Sequence, residues 1–116
     1  MAKESSIVAS IVREANTMGW WTMKIHGGPY QLSGVPDLLC IRKGVAVFLE
    51  VKQPGKQPTK IQRERMNEIE KKAGSVCAVV TSTKEAKAVL LEKNVQPITM
   101  SEYILSNKVE RRKVIQ

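Results

Sequence analysis

Asp37, Glu50 and Lys52 are the residues whose types and spacing could do chemistry. The run Val45-Ala46-Val47-Phe48-Leu49-Glu50-Val51-Lys52 alternates as a β-strand does. Val45, Val47, Leu49 and Val51 fall on one face, and Ala46, Phe48, Glu50 and Lys52 on the other. Both faces begin apolar, the pattern of a central strand. Glu50 and Lys52 thus share a face at the end of a buried strand, where charges are costly unless paired, hydrogen-bonded or coordinated. A second strand over 38–41 precedes it, and Lys43-Gly44 suits a two-residue turn. Counting outward from that turn sets Arg42 against Val45, Ile41 against Ala46, Leu39 against Phe48 and Asp37 against Glu50. Two carboxylates about 5 Å apart at Cβ repel unless a cation lies between them. Hard oxygen ligands suit magnesium, which takes one or two protein carboxylates together with waters and phosphate oxygens. A lysine on the same face is placed to acidify a water on the metal or to hold a phosphate. The chemistry such a set supports is metal-assisted hydrolysis of a phosphodiester.

The elements that must position these residues can be read along the chain. Ile7, Val8, Ile11, Val12, Ala15 and Met18 recur at helical steps, which predicts an amphipathic helix over 4–18 that stops at Gly19. A strand is expected over 20–25, then a breaker-rich loop over 26–34, then the 38–41 and 45–51 hairpin. Of the adjacent Trp20 and Trp21, one must face the core while the other is free for a partner subunit or a base. A second loop covers 53–58. Thr59 and Gln62 stand at capping-box spacing and open a helix carrying Ile61, Met66, Ile69 and Ala73, with Gly74 as its stop. The apolar run 75–80 is expected as a strand buried on both faces. Ser82 or Thr83 then caps a helix with Ala86, Val89 and Leu90. A last strand is expected over 95–98, where Pro97 confines it to an edge, and a terminal helix with a basic tail follows Thr99. The order is α-β-β-β-α-β-α-β, a mixed sheet flanked by helices. At 116 residues, the chain is expected to be a single domain spanning 1–116.

Gly34-Val35-Pro36-Asp37, then Glu50-Val51-Lys52, then Gln62 in the next helix resembles the PD-(D/E)xK nuclease superfamily, whose core order α-β-β-β-α-β agrees with this reading. Within it, the Gly-x-Pro-Asp form, the Glu-x-Lys strand and the Thr-x-x-Gln helix start most resemble the virus-type replication and repair nucleases, VRR-Nuc. The resemblance covers residues 4 to about 80 and leaves an extension over 99–116 outside it. It implies that Asp37, Glu50 and the Val51 carbonyl bind Mg2+, with Mn2+ as a substitute. Lys52 would position or activate the attacking water, and Gln62 would hold the lysine or a phosphate. The glutamate that many members carry on the first helix would be Glu14. The small stand-alone members resemble phage enzymes that act as homodimers on branched DNA such as four-way junctions, which implies a bacterial host cytoplasm.

Composition narrows the classes further. Hydrophobic residues at 42% and charged residues at 26% are an ordinary globular balance and exclude a disordered or low-complexity chain. No apolar run is long enough to cross a bilayer, and the first residues lack a signal-peptide pattern, so a cytoplasmic protein without membrane association is expected. Cys40 and Cys77 lie in apolar runs and are expected as packed thiols rather than metal ligands. A formal net charge of +8 favours a polyanionic partner, nucleic acid before membrane. Residues 52–116 carry fourteen basic and seven acidic groups, against five and four in 1–51, so the phosphate-facing surface is expected in the second half. Lys56, Lys60, Arg63 and Arg65 cluster over the loop and helix start after the Glu-x-Lys strand and are the candidate DNA contacts. His26 is expected as a solvated loop residue. Gly27-Gly28 lacks the context of a phosphate loop, so no nucleotide cofactor is expected. The reading is a Mg2+-dependent endodeoxyribonuclease. Its rivals are a non-catalytic basic DNA-binding module of the same fold and a sequence-specific restriction nuclease.

Overall fold

A computed structural model of the chain describes residues 2–28 and 31–92. The expected strand over 95–98 and the helix and basic tail after Thr99 lie outside these residues. Within them the order is α1 (Glu4–Thr17), β1 (Trp21–Lys24), β2 (Leu38–Arg42), β3 (Val45–Val51), α2 (Lys60–Ala73), β4 (Val76–Val80) and α3 (Thr83–Glu92). The strands form one mixed sheet in the order β1-β2-β3-β4. The first three are antiparallel, whereas β4 runs parallel to β3 after crossing over through α2.

The β2–β3 hairpin turns on Lys43 and Gly44, both at positive φ (50° and 83°). That pair of conformations makes the two-residue turn whose twist matches the strands it joins. It sets the register as counted from the sequence, with Arg42 opposite Val45 and Leu39 opposite Phe48, and the ladder ends at Leu38 opposite Leu49. Alternation then gives the sheet two unlike faces. Leu38, Cys40, Val47, Leu49, Val51 and Val80 point to one side, where α1 (Ile7, Ile11, Ala15) and α3 (Ala86, Leu90) close a core over them. This dry layer holds the ends of β2 and β3 rigid. Trp20 is buried beneath it, while Trp21, the next residue, is 58% exposed.

The opposite face carries Trp21 and Met23 beside Ile41 and Leu39, then Ala46 and Phe48, then Glu50. The helix α2 lies against β4 and leaves the β1 side of this face open. The expectation that 75–80 is buried on both faces is therefore corrected. Among the described residues β4 has a single strand neighbour, and Val79 is 43% exposed. Its apolar run reflects one buried face and one face shared with a short helix.

The thiols of Cys40 and Cys77 are free, and burial pushes them up to about 12 and about 11, as suits packed rather than reactive cysteines. Among the described residues, no helix is long and apolar enough to cross a membrane.

Leu49 is wholly buried at the centre of the layer that anchors β3. Leu49→Ala is expected to lower stability by about 2–5 kcal/mol in urea denaturation, as for other leucines removed from tight cores.

Candidate active site

The strand β3 delivers Glu50 to its C-terminal end with 2% of its surface exposed, a buried ionisable side chain in an otherwise apolar layer. One residue past the β2–β3 ladder, Asp37 turns its carboxylate to β3, where Oδ2 accepts a hydrogen bond from the Val51 backbone N–H at 2.8 Å. On its other side, the Asp37 carbonyl accepts from Ile25 N–H at 2.8 Å and so ties the site to the end of β1. The carboxylates of Asp37 and Glu50 thus converge where three strands end, next to the Val51 main chain. Lys52, two residues on and on the same face, places Nζ 3.5 Å from Glu50 Oε2, while its backbone N–H continues the sheet to the Val80 carbonyl at 3.0 Å.

Electrostatics mark Glu50 as the group under stress. Burial, then the Asp37 charge, raise its carboxyl from the ordinary 4.5 to about 7; Lys52 opposes the rise and Glu4 adds to it. Glu50 Oε1 is buried and has no hydrogen-bond partner. An unpaired buried carboxylate oxygen costs the folded chain unless something positive binds it. A divalent cation between Asp37 and Glu50, reached also by the Val51 carbonyl, would meet both demands, and the all-oxygen donor set suits Mg2+. Among the described residues no cluster of three or more His, Cys, Asp or Glu side chains converges as a metal cage. The fit is therefore to a cation that keeps waters and takes substrate oxygens.

The loop that carries Asp37 rests on a glycine. Gly34 has φ +79°, and a Cβ there would stand 2.7 Å from the Ile61 carbonyl at the start of α2. Only hydrogen fits, so the Gly-x-Pro-Asp segment lies flush against the helix, and the buried Pro36 stiffens the approach to Asp37.

Other candidates are placed differently from expectation. Glu14 is corrected: it faces α3, with Oε2 3.7 Å from Lys87 Nζ, half-exposed. The acidic residue of α1 that reaches the site is Glu4, about 15 Å back along the helix axis. Its Oε2 accepts from Gln53 N–H at 3.3 Å, and its charge is felt at Glu50. The signal for Glu4 was present in the stripe Ile7, Ile11, Ala15, which extends back to position 4.

Gln62 closes the capping box of α2: its Oε1 accepts from Thr59 N–H at 2.8 Å and Thr59 Oγ1 accepts from Gln62 N–H at 3.3 Å. It makes no hydrogen bond to Lys52, so the expected hold on the lysine is corrected to a hold on the helix start. Among the expected DNA contacts, Lys56 and Lys60 are exposed. Arg65 is partly engaged within the fold: Nε donates to the Ser33 carbonyl and Nη1 pairs with Glu68, both at 2.8 Å. Arg63, though exposed, donates Nη1 to the Pro58 carbonyl at 2.6 Å. His26 is exposed, as expected of a solvated loop residue.

No protein-family model matches the sequence, and no curated protein does. Solved structures do. One named "VRR_NUC domain" aligns over 78% of this chain and 97% of its own, with TM-score 0.65 and 27% identity. The chain resembles the VRR-Nuc domains in fold and in sequence. A second structure, "VRR_NUC domain protein", shares the fold at 18% identity and TM-score 0.62, over 79% of this chain and 88% of its own. The chain thus carries a VRR-Nuc-like nuclease fold, and Asp37, Glu50 and Lys52 stand where its sheet gathers charge.

Two outcomes follow for this site. Gly34→Ala is expected to cost about 2 kcal/mol or more in chemical denaturation, because φ is unsuited to alanine and the new Cβ meets backbone. In EDTA, folded Glu50 keeps a proton that the unfolded chain releases between about pH 4.5 and 7. Wild-type stability should therefore fall across that window relative to Glu50→Gln and level off above it, as measured by thermal melts at stepped pH.

Proposed function

We propose that this VRR-Nuc-like domain is a Mg2+-dependent endodeoxyribonuclease, with Mn2+ able to substitute, that acts as a homodimer on branched DNA such as four-way junctions. The observation that carries the reading is the buried Glu50 beside the half-buried Asp37, with one Glu50 oxygen unsatisfied and a lysine on the same face. Asp37, Glu50 and the Val51 carbonyl would hold the metal, with Glu4 in place of Glu14 as the acidic residue from the first helix. Bound Mg2+ supplies positive charge that offsets charge growing on the scissile phosphate and acidifies water.

The chain's own residues do the rest. Asp37, fixed by Val51 N–H on one side and Ile25 on the other, keeps its carboxylate from turning away as substrate enters. Glu50, in its ionised form, would offset part of the cation's charge, with Lys52 Nζ 3.5 Å away. Lys52 then orients the attacking water by hydrogen bonding and stabilises the phosphate oxygens at the moment of in-line displacement. Cleavage would leave 5′-phosphate and 3′-hydroxyl ends. Lys56 and Lys60, exposed beside the strand end, are suited to the flanking backbone phosphates. The open sheet face with Trp21 and Met23, 58% and 44% exposed and ringed by Ile41, Leu39 and Phe48, supports a second copy as partner.

Asp37→Ala and Glu50→Ala are each expected to lower cleavage of a labelled four-way junction at least about 100-fold while junction affinity in Ca2+ changes little. Metal-independent binding that follows salt alone, with no cleavage of junction, flap, nicked, single-stranded or duplex DNA, would instead assign the chain to a non-catalytic DNA-binding module.

A further inference from the structure

The residue after Lys52 holds together elements that the sequence keeps far apart. Gln53 donates its side-chain Nε2–H to the Ala2 carbonyl at 3.0 Å, and its backbone N–H to Glu4 Oε2 at 3.3 Å. One residue earlier, Lys52 N–H is bound to the Val80 carbonyl. The end of β3 is therefore fastened to the end of β4 and to the first turn of α1, about fifty residues away in the chain. Two of these three fastenings pass through Gln53. Without the amide, the residues ahead of Ile7 keep the longer, charge-assisted contact of Glu4 as their tie to the end of β3, and helix ends fray readily.

We propose that Gln53 is a positioning residue for the metal site, acting through Glu4. Its side-chain amide pins the start of α1 so that the Glu4 carboxylate stays beside Glu50, where it adds negative potential to the Asp37–Glu50 pair. Gln53 itself touches neither carboxylate of that pair and is not a ligand. The amide type is suited to the task. It donates to a main-chain carbonyl while adding no charge of its own beside Glu4, whereas a lysine or arginine there would neutralise Glu4 and weaken the cation's field. This inference rests on the metal-binding reading of Asp37 and Glu50, and the measurement below separates the two.

The test is direct Mn2+ binding by calorimetry to the full chain without DNA, alongside thermal melts in EDTA. The variants are Gln53→Met, which keeps the length and apolar stem but removes the amide, Glu4→Gln, and the double variant. Gln53→Met is expected to weaken Mn2+ binding several-fold, up to about 10-fold, in the range typical of groups that support metal ligands. Its melt in EDTA should match the wild type's. The double variant should bind no more weakly than Glu4→Gln alone, because the amide acts only by placing the Glu4 carboxylate. Unchanged Mn2+ affinity in Gln53→Met, with wild-type binding intact, overturns the positioning role alone. So does a loss in the double variant that sums the two single losses, or a lowered melt that accounts for weaker binding as partial unfolding. Wild-type protein that binds no Mn2+, or binds it equally after Asp37→Ala, overturns the metal reading and this inference with it.

Discussion

The burial of one carboxylate at the end of a central strand is the constraint on which the rest of this structure depends. Glu50 ends the strand face that carries Ala46 and Phe48, beside a second carboxylate, with one oxygen left without a partner. A chain selected for stability alone would place an apolar residue there, since breaking into a core with charge is repaid only by excellent pairing. Lys52 supplies part of that pairing at 3.5 Å, too long and too one-sided to satisfy both oxygens. The surroundings then read as the means of keeping this unfavourable arrangement in place. The hairpin sets which residues oppose one another, the α1–α3 layer keeps the strand ends from spreading, and the Val51 N–H holds the Asp37 carboxylate near Glu50 despite their repulsion.

How much of this was legible in the sequence follows from the kind of signal involved. The hairpin register was legible because its cause is local: Lys43-Gly44 accepts two positive φ values, and period-two alternation then assigns every side chain to a face. The nearness of Asp37 to the end of β3 came with it. Glu14 was misplaced for a different reason. Both Glu4 and Glu14 lie near the edge of the same helical stripe, and periodicity alone gives an angle around the axis but not the end of the helix that meets the site. That choice depends on how α1 crosses the sheet, a tertiary fact that no short window contains. The open face of β4 was illegible in the same way, since an apolar run shows that a strand can be buried on both sides and not that a helix wide enough to cover it exists.

Polar residues near the site divide between chemistry and scaffolding in a manner that composition does not reveal. Gln62 and Arg65 belong to a basic, polar helix start that could serve phosphate, yet their side chains bind main-chain groups at Thr59 and Ser33. Both bonds fasten the start of α2 or the Ser33–Gly34 loop that leans on it. Because the Gly34 backbone fits under the Ile61 carbonyl with no room for a side chain, movement of α2 would carry the Asp37 loop with it. The helix is therefore a fixed wall of the site, and the side chains that look most suited to DNA are the ones keeping that wall straight. Lys56 and Lys60, by contrast, remain in solvent.

The two faces of the sheet divide labour along the same strands. One face is a closed core with α1 and α3. The other begins with Trp21 and Met23 in the open, passes Phe48, and ends at Glu50. No ionisable side chain interrupts its apolar part, although the chain carries a net charge of +8. Among the described residues this face offers backbone phosphates no cation, since the nearby Lys24 and Arg42 alternate to the other side of the sheet. A like-charged second copy, by contrast, could meet this chain most easily where charge is absent. Such a meeting would lie along the strand that carries Glu50, with the carboxylates at its far end still open to substrate. Strand β3 would then bear both duties at a separation set by its own length.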